Sequence, residues 1–389
     1  MKTITYRLRD ILINFDYMRK PLSSMERENF QGEYPYYGAQ GIIDYVKDYV
    51  CDGTYMLIAE DGENLSSRKA PIVNIANGKF WVNNHAHIVK TNEKANFKYI
   101  YYLLNHSDIT GYVTGSAQPK LSQGSLNKIK IELPDLPTQQ KIANILSRYD
   151  EAIENNNKRI KLLEQMAQNL YKEWFVRFRF PGYENCEFEN GIPKGWKVEK
   201  LGNFCKITDG THDTPAQVEE GIPLVTGKAI RNGRIDFSIP YNISVEDHEK
   251  IKKRSGLKTG DILFSNIGTI GNVCLVNYDR EFSVKNMIIF KPESINQSMY
   301  LFYLLNSDSI QSLFTAQTNG ASQQFLGLDF MRRFKILLPS EEIIKLFGEK
   351  EVLIIQQINI FQQQNQNLAK QRDLLLPRLM SGKLEVKEI

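Results

Sequence analysis

Two stretches of the chain carry a seam of residues spaced alternately four and three apart, the heptad spacing of a coiled coil. The first runs through Ile142, Leu146, Tyr149, Ile153, Asn156, Ile160, Leu163, Ala167, Leu170 and Trp174. The second runs through Phe347, Glu351, Ile354, Ile358, Phe361, Asn365, Leu368, Arg372, Leu375 and Leu379. Each predicts a long helix. Pro181-Gly182 is expected to stop the first. The second opens on Ser340 as N-cap, with Glu341 and Glu342 favouring the helix dipole, and Pro377 is expected to kink or end it. Gln356 to Gln371 is rich in Gln and Asn, but the apolar positions hold their phase through it, which a low-complexity tract has no reason to do. Set antiparallel, the helices bring Leu146 against Leu375, Ile153 against Leu368, Ile160 against Phe361, Leu163 against Ile358 and Trp174 against Phe347. Asn156 then meets Asn365, and one matched polar layer would fix that register. Glu351 and Arg372 are blemishes in it. The other arrangement open to this pattern is pairing with helices of a second subunit.

The segments before each helix alternate short β-branched and aromatic runs, such as Tyr55-Met-Leu-Ile58, Ile262-Leu-Phe264 and Val273-Cys-Leu-Val276, with Gly and Asn turns, which predicts α+β domains. They are also related to each other. Tyr99-Ile-Tyr-Tyr102-Leu-Leu-Asn105 returns as Tyr300-Leu-Phe-Tyr303-Leu-Leu-Asn306, Gly115-Ser-Ala-Gln118 as Gly320-Ala-Ser-Gln323, and Lys128-Ile-Lys-Ile-Glu-Leu-Pro134 as Arg333-Phe-Lys-Ile-Leu-Leu-Pro339. Upstream, Gly32 to Gly38 matches Gly221 to Gly227, and Asp16 to Pro21 matches Asp209 to Pro215. Similarities in one preserved order imply duplicated domains. The chain is thus read as a first domain (1–137), a helix (138–180), a second domain (181–340) and a second helix (341–389).

Composition narrows the class. The 389 residues are 42% hydrophobic and 24% charged, which is globular, and no apolar run approaches a membrane span. Met1 to Asp10 carries three basic residues and no apolar signal segment, so the reading is cytoplasmic. Cys51, Cys186, Cys205 and Cys274 lie too far apart in sequence to suggest a zinc site or a disulfide framework. The net charge of +4 is concentrated in one place: residues 138–180 hold 8 basic and 5 acidic side chains, whereas 181–340 hold 18 of each. Nucleic-acid contacts would therefore come from local patches.

The sequence carries little recognisable catalytic chemistry. His85 and His87 alternate as if on one strand face, but no neighbouring residue in sequence completes a metal set, and polar strand positions are the simpler reading. Gly221 to Ala229 is one residue too long for a phosphate loop, and Ala229 replaces the Ser or Thr that would hold magnesium. No Gly-x-Ser-x-Gly, His-Glu-x-x-His or Gly-x-Gly-x-x-Gly occurs, nor does the Asn/Asp-Pro-Pro-aromatic motif of adenine methyltransferases. Pro134-Asp135 lacks the Glu-x-Lys of a nuclease. No metal and no catalytic residue is assigned, and a binding scaffold is expected.

The candidate binding residues lie in loops and basic clusters. Gly115-Ser-Ala-Gln118-Pro-Lys120 and Asn319-Gly-Ala-Ser-Gln323-Gln324 offer amides that can bond an adenine edge, and Lys120 a cation for phosphate. Arg68-Lys69, Lys252-Lys253-Arg254 and Arg332-Arg333 could neutralise phosphates. Singly, such clusters more often mark a solvated face. Two similar domains joined to a helical spacer, however, suit a ligand with two separated sites along a rod.

Over essentially its whole length the chain resembles the specificity subunit of type I restriction-modification systems. The resemblance rests on Ile131-Glu-Leu-Pro134 to Leu136-Pro-Thr-Gln-Gln-Lys-Ile-Ala143 at the first helix start, Arg19-Lys20-Pro-Leu22 in the first domain, and Asp209-Gly-Thr-His212 with Pro223-Leu-Val-Thr-Gly227 and Lys228 in the second. Leu375-Leu-Pro-Arg-Leu-Met-Ser-Gly-Lys-Leu384 is similar to the family's C-terminal signature. The second helix start, Leu338-Pro-Ser-Glu-Glu-Ile-Ile344, departs from it by lacking the Gln. The resemblance implies a non-catalytic subunit with two target-recognition domains, each reading half of an asymmetric bipartite duplex DNA target. It implies helices that pair as a spacer and dock two modification subunits, and a restriction subunit that joins them. S-adenosylmethionine, ATP and magnesium would be used by those partners, with no cofactor held by this chain. A coiled-coil adaptor whose repeats bind protein is the competing reading.

Overall fold

A computed structural model of the chain describes residues 2–115, 118–231, 233–318 and 325–386. They fall into two compact units, one of residues 1–157 with 362–389 and the other of residues 158–361, so each unit contains part of both long helices. The architecture is α+β, as expected.

In the first unit, strands Leu12–Asn14, Ala86–Thr91, Tyr55–Ala59 and Val73–Ala76 form an antiparallel sheet in that order. Tyr55–Ala59 is buried at every residue because both of its faces are covered. Met56 and Ile58 pack with Tyr99 and Ile100 of helix Phe97–His106, while Tyr55 and Leu57 pack with Phe80 and Val82. The latter belong to a second sheet ordered Gly41–Val46, Gln31–Gly38, Lys79–Val82, Cys51–Asp52, in which Tyr36 and Trp81 form a parallel pair. Ile4–Arg7 pairs with Lys130–Leu133, the strand that leads into the first long helix.

The second unit repeats this plan. Lys206–Asp209, Met287–Lys291, Ile262–Ser265 and Val273–Leu275 form an antiparallel sheet in the same spatial order. Tyr241–Ile243, Ile222–Val225 and Ser283–Val284 form a second sheet, again with one parallel pair, Leu224 beside Ser283. Lys197–Lys200 pairs with Lys335–Leu338 as Ile4–Arg7 does with Lys130–Leu133. The register confirms the duplication: Asn14 and Met56 flank Val89, while Ile207 and Ile262 flank Phe290. It also agrees with one sequence match, since the Phe15 amide bonds the Ile88 carbonyl where Thr208 pairs with Ile289, which makes Asp16 the partner of Asp209. Gly32 and Gly221 also correspond. A Cβ on Gly32 would lie 2.4 Å from Lys47 Cα, and one on Gly221 would lie 2.2 Å from the Ile243 carbonyl oxygen.

The long helices are Leu136–Tyr171, continued by a π turn over Lys172–Val176, and Glu341–Met380. Asp135 caps the first by accepting from the Thr138 amide at 2.9 Å. Pro137 sits in the first turn, where its missing N–H costs nothing. The helix ends at the π turn, before Pro181: the wider turn buries consecutive Trp174 and Phe175, and Phe178 then takes a φ of 57°. Pro377 does not end the second helix, which continues to Met380. Buried Leu379 anchors the last turn in the core of the first unit.

The helices pair antiparallel within each unit. In the first unit Asn156 donates to Asn365 Oδ1 at 3.0 Å, and Leu146 shares a core with Leu375. In the second, the Trp174 and Phe347 rings lie 5.9 Å apart, and Leu163 and Ile160 pack in one core with Ile358. The missing Gln at the second helix start has a structural counterpart. Gln139 accepts from the Asn96 amide at 2.8 Å and donates to the Pro134 carbonyl at 2.9 Å. The second helix instead packs Gly348 so close to Asn296 that an added Cβ would lie 2.4 Å from its Cα.

Each blemish in the seam belongs to a site where an acid faces a tyrosine of the repeat. Asp150 accepts from the Tyr102 hydroxyl and, at 2.5 Å, from Arg372, so Arg372 is an ion-pair partner rather than a misplaced charge. In the second unit Glu351 lies beside Tyr303 but is fully enclosed, and neither carboxylate oxygen has a partner at hydrogen-bonding distance.

Candidate nucleic-acid interface

In the first unit a surface turn is built over the end of the central strand. Thr114 and Lys120 exchange backbone hydrogen bonds at 2.8 and 2.7 Å, closing the turn that holds Gly115 and Gln118. Gly115 has a φ of 86°, and a Cβ there would lie 2.4 Å from the Gln118 carbonyl oxygen, so only glycine fits. Gln118 is exposed beyond it. The turn is tied to the sheet by the Leu121 amide, which donates to the Glu60 carbonyl at 2.6 Å, and by the bridge between Asp61 and Lys120.

Beneath the turn lies a charged network. Glu60 accepts from Arg19 at 2.5 Å, and its other carboxylate oxygen is 3.4 Å from Lys120 Nζ. Asp16 accepts from His87 at 2.7 Å and from the Ile88 amide at 2.8 Å, and lies 3.4 Å from Arg19. Burial opposes ionisation of both acids. Hydrogen bonds from His87, Asn14 and Ile88 outweigh it for Asp16, and Arg19, His87 and Lys120 outweigh it for Glu60, so both carboxyls are held below their ordinary values. Arg19 is therefore a cation held against two acids, and Lys120, half exposed, is the network's outward-facing member. His85 and His87 do not share a strand face. His87 is buried on Ala86–Thr91, while His85 sits exposed in the preceding turn, 2.8 Å from Asp61. Among the described residues, no group of three His, Cys, Asp or Glu could hold a metal ion.

The second unit has its own network at the corresponding sheet end. Asp209 accepts from Arg254 at 2.7 Å and from His212 at 2.8 Å, and burial of its carboxylate is again outweighed, holding it below its ordinary value. His212 also contacts Asn286 Oδ1 at 3.1 Å and remains exposed.

The other candidates divide into exposed and engaged groups. Lys69, Lys228 and Lys253 are exposed, and so is Lys20, 5.5 Å from the Trp81 ring centre. Arg68 donates to the Ser107 carbonyl, and Lys252 to Glu281 at 2.5 Å. Arg332 bonds Asp329 and the Ile207 carbonyl, each at 3.2 Å, and Arg333 bonds the Asp329 carbonyl at 3.2 Å. Gln323 and Gln324 lie outside the described residues. The acids that organise these cations, Glu60 and Asp16 above all, have no local sequence signal, because their partners lie 41 and 71 positions away. Only the repeated Asp before Arg19 and before His212 pointed towards them.

A family profile described as the type I restriction modification DNA specificity domain matches residues 4–165 and 193–372. The chain is 26% identical to the type I restriction enzyme MjaIX specificity subunit of Methanocaldococcus jannaschii, over 94% of this chain and 90% of that one. It is 27% identical to a putative type I restriction enzyme specificity subunit of Haemophilus influenzae, over 86% and 84%. Its fold is similar to the crystal structure of a type I restriction-modification S subunit from M. genitalium, with a TM-score of 0.60 and 15% identity over 97% and 96% of the two chains.

Proposed function

The chain belongs to the type I restriction modification DNA specificity family, and on that premise we propose that it is the sequence-specific DNA-binding subunit of a type I restriction-modification complex. The supporting observation is the duplication: two units repeat one sheet order and one register, as two readers of a bipartite target require. Each domain reads one half-site. Lys120, Lys20, Lys228 and Lys253 supply phosphate contacts, and Gln118 a base-edge contact. The long helices set the separation of the half-sites and dock two modification subunits, to which a restriction subunit is added. Methyl transfer from S-adenosylmethionine and ATP- and magnesium-dependent cleavage belong to those partners, and this chain is non-catalytic.

Duplex binding by the assembled modification complex tests the reading. Affinity is expected to fall steeply and linearly on a logarithmic salt scale, as release of phosphate counterions requires, and one bipartite motif is expected to be methylated. Binding that ignores both salt and sequence would refute it.

A further inference from the structure

The duplicated scaffold carries an internal comparison at the base of the surface turn. In the first unit a bridge joins Asp61 to Lys120; in the second the corresponding bridge joins Ile267 to Phe325. Their neighbours establish the correspondence. The Leu121 amide bonds the Glu60 carbonyl at 2.6 Å, the Leu326 amide bonds the Asn266 carbonyl at 3.1 Å, and both leucines are buried. A short helix follows each, Gln123–Lys128 in one unit and Leu328–Arg333 in the other.

The chemistry of the two pairs is opposite. Asp61 and Lys120 are ionic, engaged by His85 and Glu60. Ile267 and Phe325 are apolar and open, 44% and 54% exposed. They are also held in place. Asn266 Nδ2 donates to the Leu326 carbonyl at 3.0 Å behind the pair. The Phe325 ring lies over Gly327, where an added Cβ would come within 3.3 Å of Cζ. Next to Ile267, Gly268 has a φ of 74° and open space where a side chain would stand, so the tip can be closely approached. Two adjacent, half-exposed apolar side chains beside an open glycine offer an apolar contact to whatever approaches this tip.

We propose that Ile267 and Phe325 are specificity-determining residues of the second recognition domain and take the 5-methyl group of a thymine in the major groove. The proposal rests on the DNA-reading function above. The thymine methyl is the apolar feature of the base edges displayed in that groove, and Phe is among the side chains suited to contact it. The first unit, with Asp61 and Lys120 in the same place, addresses hydrogen-bonding edges or phosphate instead, so one scaffold serves two half-sites of different chemistry.

The test uses the assembled modification complex and its mapped target. Each thymine is replaced in turn by deoxyuridine, which lacks only the methyl group. At one thymine, in one half-site, affinity should fall about fourfold, the worth of one buried methyl. The Phe325→Ala complex should show a smaller difference between the thymine and deoxyuridine duplexes and the Ile267→Ala/Phe325→Ala complex none, while Phe325→Leu, which keeps an apolar contact, should retain the difference, as should Lys120→Ala in the other domain. A target in which no thymine is sensitive, or sensitivity undiminished in Phe325→Ala, overturns the proposal while leaving the DNA-reading function intact. A wild-type complex that binds no duplex specifically defeats both.

Discussion

Asn156 donates its side-chain amide to Asn365 Oδ1 at 3.0 Å across the helix pair, and Asn365 in turn donates to Asn157 Oδ1 at 2.9 Å. Replacing Asn156 by Leu removes one bond from an amide that retains another, so the expected loss is near the lower end of about 1 to 3 kcal/mol for stranding a polar group. Changing both Asn156 and Asn365 to Leu should restore the stability or exceed it, while loosening the register. Thermal melts of the two single variants and the double variant decide this. Strictly additive losses would mean that the two residues do not act as partners.

That contact was legible in the sequence because heptad phase carries through 3.6-residue periodicity and one matched polar layer is informative. The duplication was legible too, since Tyr102 and Tyr303, or Gly32 and Gly221, occupy positions whose packing tolerates little else. The two networks at the sheet ends were not. Arg19 reaches Glu60, and Asp16 reaches His87, only after strands distant in sequence have paired. In the sequence Arg19, Arg254 and His212 read as cations available to DNA, whereas their acidic partners become visible only in the fold. The end of the first helix was misplaced for a related reason. The demand to bury both Trp174 and Phe175 draws a π turn that no local helix signal announces.

Glu351 should make stability depend on pH. Its enclosure, eased only by Tyr303, raises its pKa from 4.5 to about 7. The corresponding acid, Asp150, has Arg372 for company, whereas the heptad pattern places Leu170 opposite Glu351. The folded state therefore holds an extra proton between about pH 4.5 and 7, so stability is highest below this window and falls as pH rises through it. Glu351→Gln should abolish that fall and stabilise the protein at pH 8 by on the order of 3 kcal/mol. Melting curves at pH 5 and pH 8 for both proteins test this. Parallel behaviour of the two would show that Glu351 is not the titrating group.

Gly115 offers a contrast between folding and binding. Ala at this position meets the Gln118 carbonyl and an unfavourable φ, a local strain of about 1 to 3 kcal/mol that the turn relieves by moving. Because the turn lies outside the core, the melting temperature should change little. Affinity for DNA should fall roughly tenfold for each 1.4 kcal/mol that binding must spend to restore the turn. Gly124→Ala, where the nearest atom to the new Cβ is 3.9 Å away, serves as control and should leave both unchanged. Equal affinity in the Gly115→Ala and wild-type complexes would remove this turn from the interface.

The helices can be lengthened without disturbing their seam. One heptad inserted after Asn156 and another before Asn365 keeps the Asn layer paired on one side and Trp174 against Phe347 on the other. Seven residues add about 10 Å of helix, comparable to three base pairs at about 3.4 Å each. If the helices set the half-site separation, the methylated target should keep both half-site sequences and gain about three base pairs between them. Three base pairs also rotate one half-site about the DNA axis by nearly a third of the roughly 10.5-base-pair turn. Binding should therefore weaken unless the duplex twists to follow, at a deformation cost that depends on the spacer sequence. Mapping modified bases in DNA from cells expressing the lengthened protein reads both effects: an unchanged spacer would show that something other than these helices fixes the distance, and a changed half-site would show that the recognition domains do not act as independent modules.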